Sequence, residues 1–270
     1  MSGIKIKYEK KYVAFLDVLG FSELVYSNKR VEKLEPYFEA ISFAFKEFDI
    51  TKAGMEKRLI SDSIIIAVDD NKDALRMLLT AVRRIQSGLA MIDVWLRGAI
   101  SYGDIYFRKD PDIVVGTGLI NAYQLEKEAK FPRVIIDPFI LSRLNLTSEG
   151  FYLTFNENIQ ESIKSKKLIH NYGAPKQYRL TQDDAIFVCY ASHIVSIALK
   201  EVNNVDKHDY LNLIYNNIRS NLYKTQKHYP KYQWLKKYFL ETIINYREYW
   251  GADPKYAKLL FDAWQKFQKL

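Results

Sequence analysis

A single cysteine, Cys189, stands among the 270 residues, so an internal disulfide is impossible. It lies in an apolar, strand-like run (AIFVCYA), the setting of a buried structural thiol, and a cytoplasmic location is expected. No stretch of about 18 apolar residues occurs, which argues against a membrane-spanning helix. The opening MSGIKIKYEKKYVAFL lacks the apolar core and small-residue cleavage site of a signal peptide. Histidine is sparse, and His170, His193, His208 and His228 show neither metal-ligand spacing nor a triad pattern. No zinc-finger, RNA-recognition or P-loop signature is present. No Gly/Ser/Pro-rich linker interrupts the first 190 residues, so one domain is the simplest reading of that stretch.

Hydrophobic content of 48% and charged content of 27% describe an ordinary globular chain. The net charge of +8 is unevenly placed: residues 200–270 carry 13 Lys or Arg against 7 Asp or Glu. A basic tail suits a polyanionic partner, but a solvated Lys-rich helix face is the favoured reading. With no supporting motif, nucleic acid is not the expected partner.

Periodicity predicts a buried strand over 11–18, a tight turn at Leu19-Gly20-Phe21-Ser22 with Ser22 as N-cap, and a helix over 31–47. Residues 57–62 and 63–68 read as a hairpin or one long strand, followed by an amphipathic helix at 73–91. LRGAISYGDIYF reads as two short strands broken at Gly103. A strand at 113–115, a glycine-led helix and a strand at 132–137 come next. The order β-α-α-β-β-α-β-β-α-β favours an α+β fold with a mixed sheet and helices packed on it. After strands near 178–180 and 185–189, helices are expected at 206–228, 231–249 and 254–268. Their aromatic stripes, such as Tyr256, Leu260, Trp264 and Phe267, read as packing surface. Residues 1–192 are therefore read as the main domain and 193–270 as a C-terminal helical appendage.

Two carboxylates carry most of the functional information. Asp17 (FLDVLGFSEL) and Asp62 (RLISDSIIIAV) each sit at the polar end of an apolar strand-like run. There a carboxylate is costly unless something cationic meets it. Two aspartates brought side by side by a sheet can hold two divalent metals against a triphosphate. Each also has a plainer reading, Asp17 as a strand-end or capping residue and Asp62 as a turn residue.

The order of motifs resembles the class III nucleotidyl cyclases. FLDVLGF (15–21), the Asp62 strand, the Arg-led strand Arg97-Gly98-Ala99-Ile100-Ser101-Tyr102-Gly103 and the glycine-led helix Gly116 to Glu126 follow in that family's sequence. The resemblance implies a ferredoxin-like cyclase core and two Mn²⁺ or Mg²⁺ ions per active site, held by Asp17, Asp62 and the Val18 carbonyl. It further implies phosphate contacts from the backbone of Leu19, Gly20, Phe21 and Ser22, a phosphate-tail contact from Arg97, and base reading by Arg58. Arg97 also reads as a buried ion-pair partner of Asp93 or another carboxylate.

Two departures matter. Where adenylate and guanylate cyclases carry an Asn and an Arg on the glycine-led helix, this chain has Ile120 and Gln124. The adenine-selecting Asp falls at Ile113, with Asp112 one residue away. A narrower resemblance accommodates this. AYQLE (122–126), Pro132-Arg133-Val134 and Lys231-Tyr232-Gln233-Trp234-Leu235 are similar to segments of the bacterial Pycsar pyrimidine cyclases. Those make cyclic UMP or cyclic CMP in anti-phage defence, signalling to a separate effector. That resemblance implies UTP or CTP as substrate and a homodimer with active sites between subunits. Tyr123, Lys127, Lys130 or Arg133 of the second subunit would stand in for the missing Asn and Arg. The alternatives are a catalytically degenerate nucleotide-binding module and a purine cyclase.

Overall fold

The computed structural model describes residues 5–28, 30–46, 54–156, 169–170, 185–203 and 209–270. Its centre is β1 (Glu9–Leu19), in which every side chain from Lys11 to Leu16 is buried, as in a strand covered on both faces. β1 pairs antiparallel with β3 (Ser63–Asp69) on one side and β4 (Trp95–Arg108) on the other. β2 (Glu56–Ile60) forms the edge beyond β3, and beyond β4 lie β6 (Val134–Ile136), β8 (Phe187–Val188) and β7 (Ile169–His170). β5 (Ile113–Val115) folds back on the far end of β4. Among the described residues only the β4–β6 pairing is parallel, so the sheet is mixed and the fold is α+β.

The two-residue alternation of β1 divides the core. Tyr12, Ala14, Leu16 and Val18 pack with α2 (Arg30–Lys46) and α3 (Lys72–Met91). α3 earns its place by an apolar stripe, Leu75, Leu78, Leu79, Val82, Ile85 and Leu89, all fully buried. Each such side chain contributes roughly 1.5–3 kcal/mol. The Asn71 side chain caps α3 by accepting from the Ala74 amide at 2.8 Å. Val13 and Phe15 face the other way, toward Ala122 of α4 (Thr117–Glu126). The short helices α5 (Pro138–Arg143) and α6 (Ser148–Asn156) follow β6.

α7 (Ala191–Lys200), α8 (Tyr210–Leu222), α9 (Tyr229–Trp250) and α10 (Pro254–Lys269) form the C-terminal helices. Their aromatic and aliphatic stripes share a core with Trp95, Ala99, Ile135 and Phe187, and Leu260 and Phe267 are fully buried in it. Cys189 is buried in the same cluster, and the Tyr238 hydroxyl donates to its sulfur at 3.4 Å. No helix among the described residues is long and apolar enough to cross a membrane.

The element order through β6 follows the sequence expectation, with one difference there and two more in the C-terminal helices. β4 is one 14-residue strand and does not break at Gly103. A Cβ there would meet the Gly118 amide nitrogen at 2.6 Å, so Gly103 lets α4 lie close on the strand. α7 is a helix the periodicity did not single out. The separation of the tail helices falls at 223–228, because Pro230 sits in the first turn of α9, where its missing amide costs nothing. The strand expected near 178–180 and the helix start at 206 lie outside the described residues, and α8 begins after Asp209, whose side chain accepts from the Asn212 amide at 2.9 Å.

Candidate active site

Antiparallel register places Asp17 opposite Ser63 on β3 and opposite Arg97 on β4. Asp62 is not in a strand. It occupies the two-residue turn joining β2 to β3, after Ser61 at φ 55, the positive φ that tight hairpins need. The Val18 amide donates to the Asp62 carbonyl at 3.1 Å, so the hairpin tip is bonded to the end of β1. In an antiparallel ladder the amide and carbonyl of one residue face the same neighbour, so the Val18 carbonyl is directed toward the Asp62 side. The sheet therefore brings Asp17, Val18 and Asp62 to one place.

The Asp17 carboxyl is held up at about 6, first by burial and then by the negative charges of Glu126 and Asp62, with Arg97 opposing them. That ordering describes a site with an excess of negative charge over its own cations. Arg97 offsets part of it: one amino nitrogen lies 3.6 Å from Asp17 and its Nε donates to Glu126. The ion-pair reading of Arg97 is thus observed, but with Glu126 and Asp17. Asp93 instead accepts from Trp95 Nε1 at 2.8 Å and from Asn221 at 2.9 Å.

Glu126 is the residue that motif reasoning passed over. It is almost fully buried in the last turn of α4, in line with Gly118 and Ala122 on the helix face turned to the sheet. The i, i+4, i+8 spacing of Gly118, Ala122 and Glu126 was the available signal, a carboxylate on an otherwise apolar face.

The turn after β1 starts at Gly20, in the left-handed region at φ 81, and serves as the N-cap of α1 (Phe21–Val25). Ser22 is therefore inside the helix and not its cap. The first intrahelical acceptor is the Gly20 carbonyl, taken by the Glu23 amide at 3.0 Å, which leaves the Phe21 and Ser22 amides at the orphan positions of a helix start.

Arg58 lies on β2 away from this cluster. It pairs with Asp112, donates to the Arg108 carbonyl at 3.0 Å, and stacks over Phe107 with its carbon 5.3 Å from the ring centre. The structure thus joins Arg58 to Asp112, the carboxylate one position before Ile113. On the outer face of α4, Ile120, Asn121, Tyr123 and Gln124 are exposed. Tyr123 packs edge-on against Phe15 at 5.3 Å, and Lys127 lies 4.5 Å over its ring. Arg133 does not belong with them: it is fully buried, with Nε on the Ala129 carbonyl at 2.9 Å and Phe187 beside it, and it cannot reach a second subunit.

Among the described residues no group of three or more His, Cys, Asp or Glu side chains is arranged to hold a metal. What is present is two carboxylates and a strand-end carbonyl, a hard-oxygen set of the kind Mg²⁺ and Mn²⁺ take when water and phosphate complete the shell. The uncompensated charge around Asp17 fits such a cation.

No family model matches the chain, and no curated protein matches it. Solved structures that resemble it include adenylyl and guanylyl cyclases. The adenylyl cyclase CyaB from P. aeruginosa is 16% identical over 53% of this chain and 83% of its own, with a TM-score of 0.40. The guanylyl cyclase Cya2 is 13% identical over 68% and 93%, with a TM-score of 0.42. A bacterial light-regulated adenylyl cyclase is 16% identical over 79% and 98%, with a TM-score of 0.42. At such values the activity has to be argued from the residues of the site.

Proposed function

We propose that the chain is a nucleotidyl cyclase that converts a pyrimidine nucleoside triphosphate, UTP or CTP, into its 3′,5′-cyclic monophosphate and pyrophosphate. The observation that carries the reading is the meeting of Asp17, Val18 and Asp62 at the end of the central strands, with too little positive charge around them.

Asp17, Asp62 and the Val18 carbonyl would hold two Mn²⁺ or Mg²⁺ ions. Bound there, the ions would activate the ribose 3′-hydroxyl and neutralise charge developing at the α-phosphate. The Phe21 and Ser22 amides offer donors to phosphate oxygens, and the open space around Gly20 lets a ligand approach the backbone. Arg97, held at Nε by Glu126 and with one amino nitrogen 3.6 Å from Asp17, would offer its remaining amino nitrogen to the phosphate tail. Glu126 is thereby a positioning residue.

The missing Asn and Arg of α4, together with the exposed Ile120 and Tyr123, support a homodimer in which α4 of one subunit faces Asp17 and Asp62 of the other. Arg58 with Asp112 would then meet the base. Resemblance to the Pycsar enzymes supports a second-messenger role in anti-phage defence, with the product read by a separate effector. Incubation of the purified chain with Mn²⁺ and each nucleotide in turn, followed by mass spectrometry, tests the activity. Cyclic UMP or cyclic CMP from wild type and none from Asp62→Ala is the expected result. No triphosphate consumed, or an Asp62→Ala chain as active as wild type, ends the reading.

A second reading is a cyclase-like module that binds a nucleotide without turning it over. Exposed Ile120 and Gln124 favour it, since neither places a charge on the outer face of α4. Metal-dependent triphosphate binding without product distinguishes it from the first.

A further inference from the structure

Tyr37 lies on α2 against the turn that carries Gly20 and Phe21. Its ring is fully buried and packs on Phe21, with ring centres 5.8 Å apart. The hydroxyl is buried as well, and among the described residues nothing hydrogen-bonds to it. A buried tyrosine ordinarily gives its hydroxyl a partner, because the ring alone is equally well supplied by phenylalanine. The other buried side chains of α2, Ile41, Ala44 and Phe45, are apolar, so this hydroxyl belongs to no polar network within the helix face. The charges that bear on the phenol are those of Asp62 and Asp17, which add to burial in raising its pKa. Among the described residues, no hydrogen bond or ion pair reaches the Asp62 carboxylate either. Phe21, on which Tyr37 packs, lies three residues after Val18, whose amide bonds the Asp62 hairpin tip, so the two groups belong to the same end of the sheet.

We propose that Tyr37 is a positioning residue for Asp62: its hydroxyl donates to the Asp62 carboxylate, directly or through one water, when that carboxylate holds a divalent cation. The proposal rests on the reading of Asp17 and Asp62 as metal ligands. A carboxylate that gives one oxygen to a cation keeps lone pairs for a donor behind it, and that donor fixes its orientation. Arg97 supplies such a partner to Asp17 from β4; Tyr37 supplies one to Asp62 from α2.

The test compares full-length wild type, Tyr37→Phe and Asp62→Ala in solutions of Mn²⁺ alone. Free Mn²⁺ is read by electron paramagnetic resonance, and melting temperature is read with and without the ion. Tyr37→Phe is expected to melt at or above wild type without metal, since an isosteric change deletes an unpaired buried polar atom. It is expected to bind Mn²⁺ about 10–100-fold more weakly. Mn²⁺ binding as tight as wild type overturns the proposal. A metal-free Tyr37→Phe chain that melts well below wild type also overturns it, because the hydroxyl then serves the fold. If wild type takes up no Mn²⁺, or Asp62→Ala binds it like wild type, the metal-pair reading itself fails and this proposal goes with it.

Discussion

Arg97 stands directly across the strand ladder from Asp17, and one of its amino nitrogens lies 3.6 Å from the Asp17 carboxylate. The same guanidinium is held at Nε by Glu126, the buried carboxylate at the end of α4. One cation therefore joins the central strand, its neighbour and the helix that covers them.

Removing Glu126 should be felt in stability. Breaking a buried pair strands its partner's charge, so Glu126→Ala is expected to cost about 3 kcal/mol in urea denaturation. Glu126→Gln retains an acceptor for Arg97 and should cost about 1 kcal/mol, near the worth of one hydrogen bond. Equal losses for the two variants would show that the pair contributes through packing alone.

The acid titration of Asp17 gives a second expectation. Its folded pKa is raised, from 3.8 to about 6, so between those values the native state binds the extra proton. Stability of the metal-free chain therefore falls as pH rises from about 4 to about 6, and below that window the penalty is absent. The shift corresponds to at most about 3 kcal/mol. Denaturation curves of Asp17→Asn should lack this fall. Mn²⁺ binding should run the other way, weakening as pH drops below about 6, because a neutral carboxyl is a poor ligand.

Gly20 and Gly103 separate two uses of glycine. At Gly20 the space is open and only the positive φ resists a side chain, so Gly20→Ala should cost about 1–2 kcal/mol. At Gly103 a Cβ would press on the Gly118 backbone at 2.6 Å, and that atom belongs to a packed helix. Gly103→Ala should cost at least about 2 kcal/mol, by overpacking, and should lower activity by moving α4. Thermal denaturation with parallel turnover assays checks both, and a Gly103→Ala chain as stable as wild type would refute the close-approach account.

Arg58 and Asp112 should matter for selectivity more than for the fold. Asp112 is largely exposed, so losing the pair is worth under about 1 kcal/mol. Arg58→Ala and Asp112→Asn are each expected to change the relative KM values for UTP, CTP and ATP while melting close to wild type. Unchanged nucleotide preference in both would remove the pair from base recognition.

How much of this was legible beforehand differs from residue to residue. Asp17 and Asp62 could be found because each interrupts an apolar run, a conflict visible in one dimension. Asp62 was expected at a strand end, yet it occupies a hairpin tip, since pairing of Ile60 with Ser63 leaves two residues for the turn. Glu126 and Tyr37 were visible only as members of helices. Their importance comes from what lies opposite them, which local periodicity does not report. Arg133 could not be told from an available cation, because burial depends on the elements that close over it.

The sequence by itself determined the alternation of strands and helices, the split of β1 into two buried faces, and the two aspartates with their glycine turn. These follow from hydrophobic period and backbone conformation, which act over a few neighbouring residues. Tertiary structure alone decided that Arg97 answers to Glu126 and Asp17, that Arg58 finds Asp112, and that the buried Tyr37 hydroxyl has no hydrogen-bond partner among the described residues. Those outcomes depend on register and on the seating of helices over the sheet, where residues 29, 54 and 80 positions apart come within contact of one another.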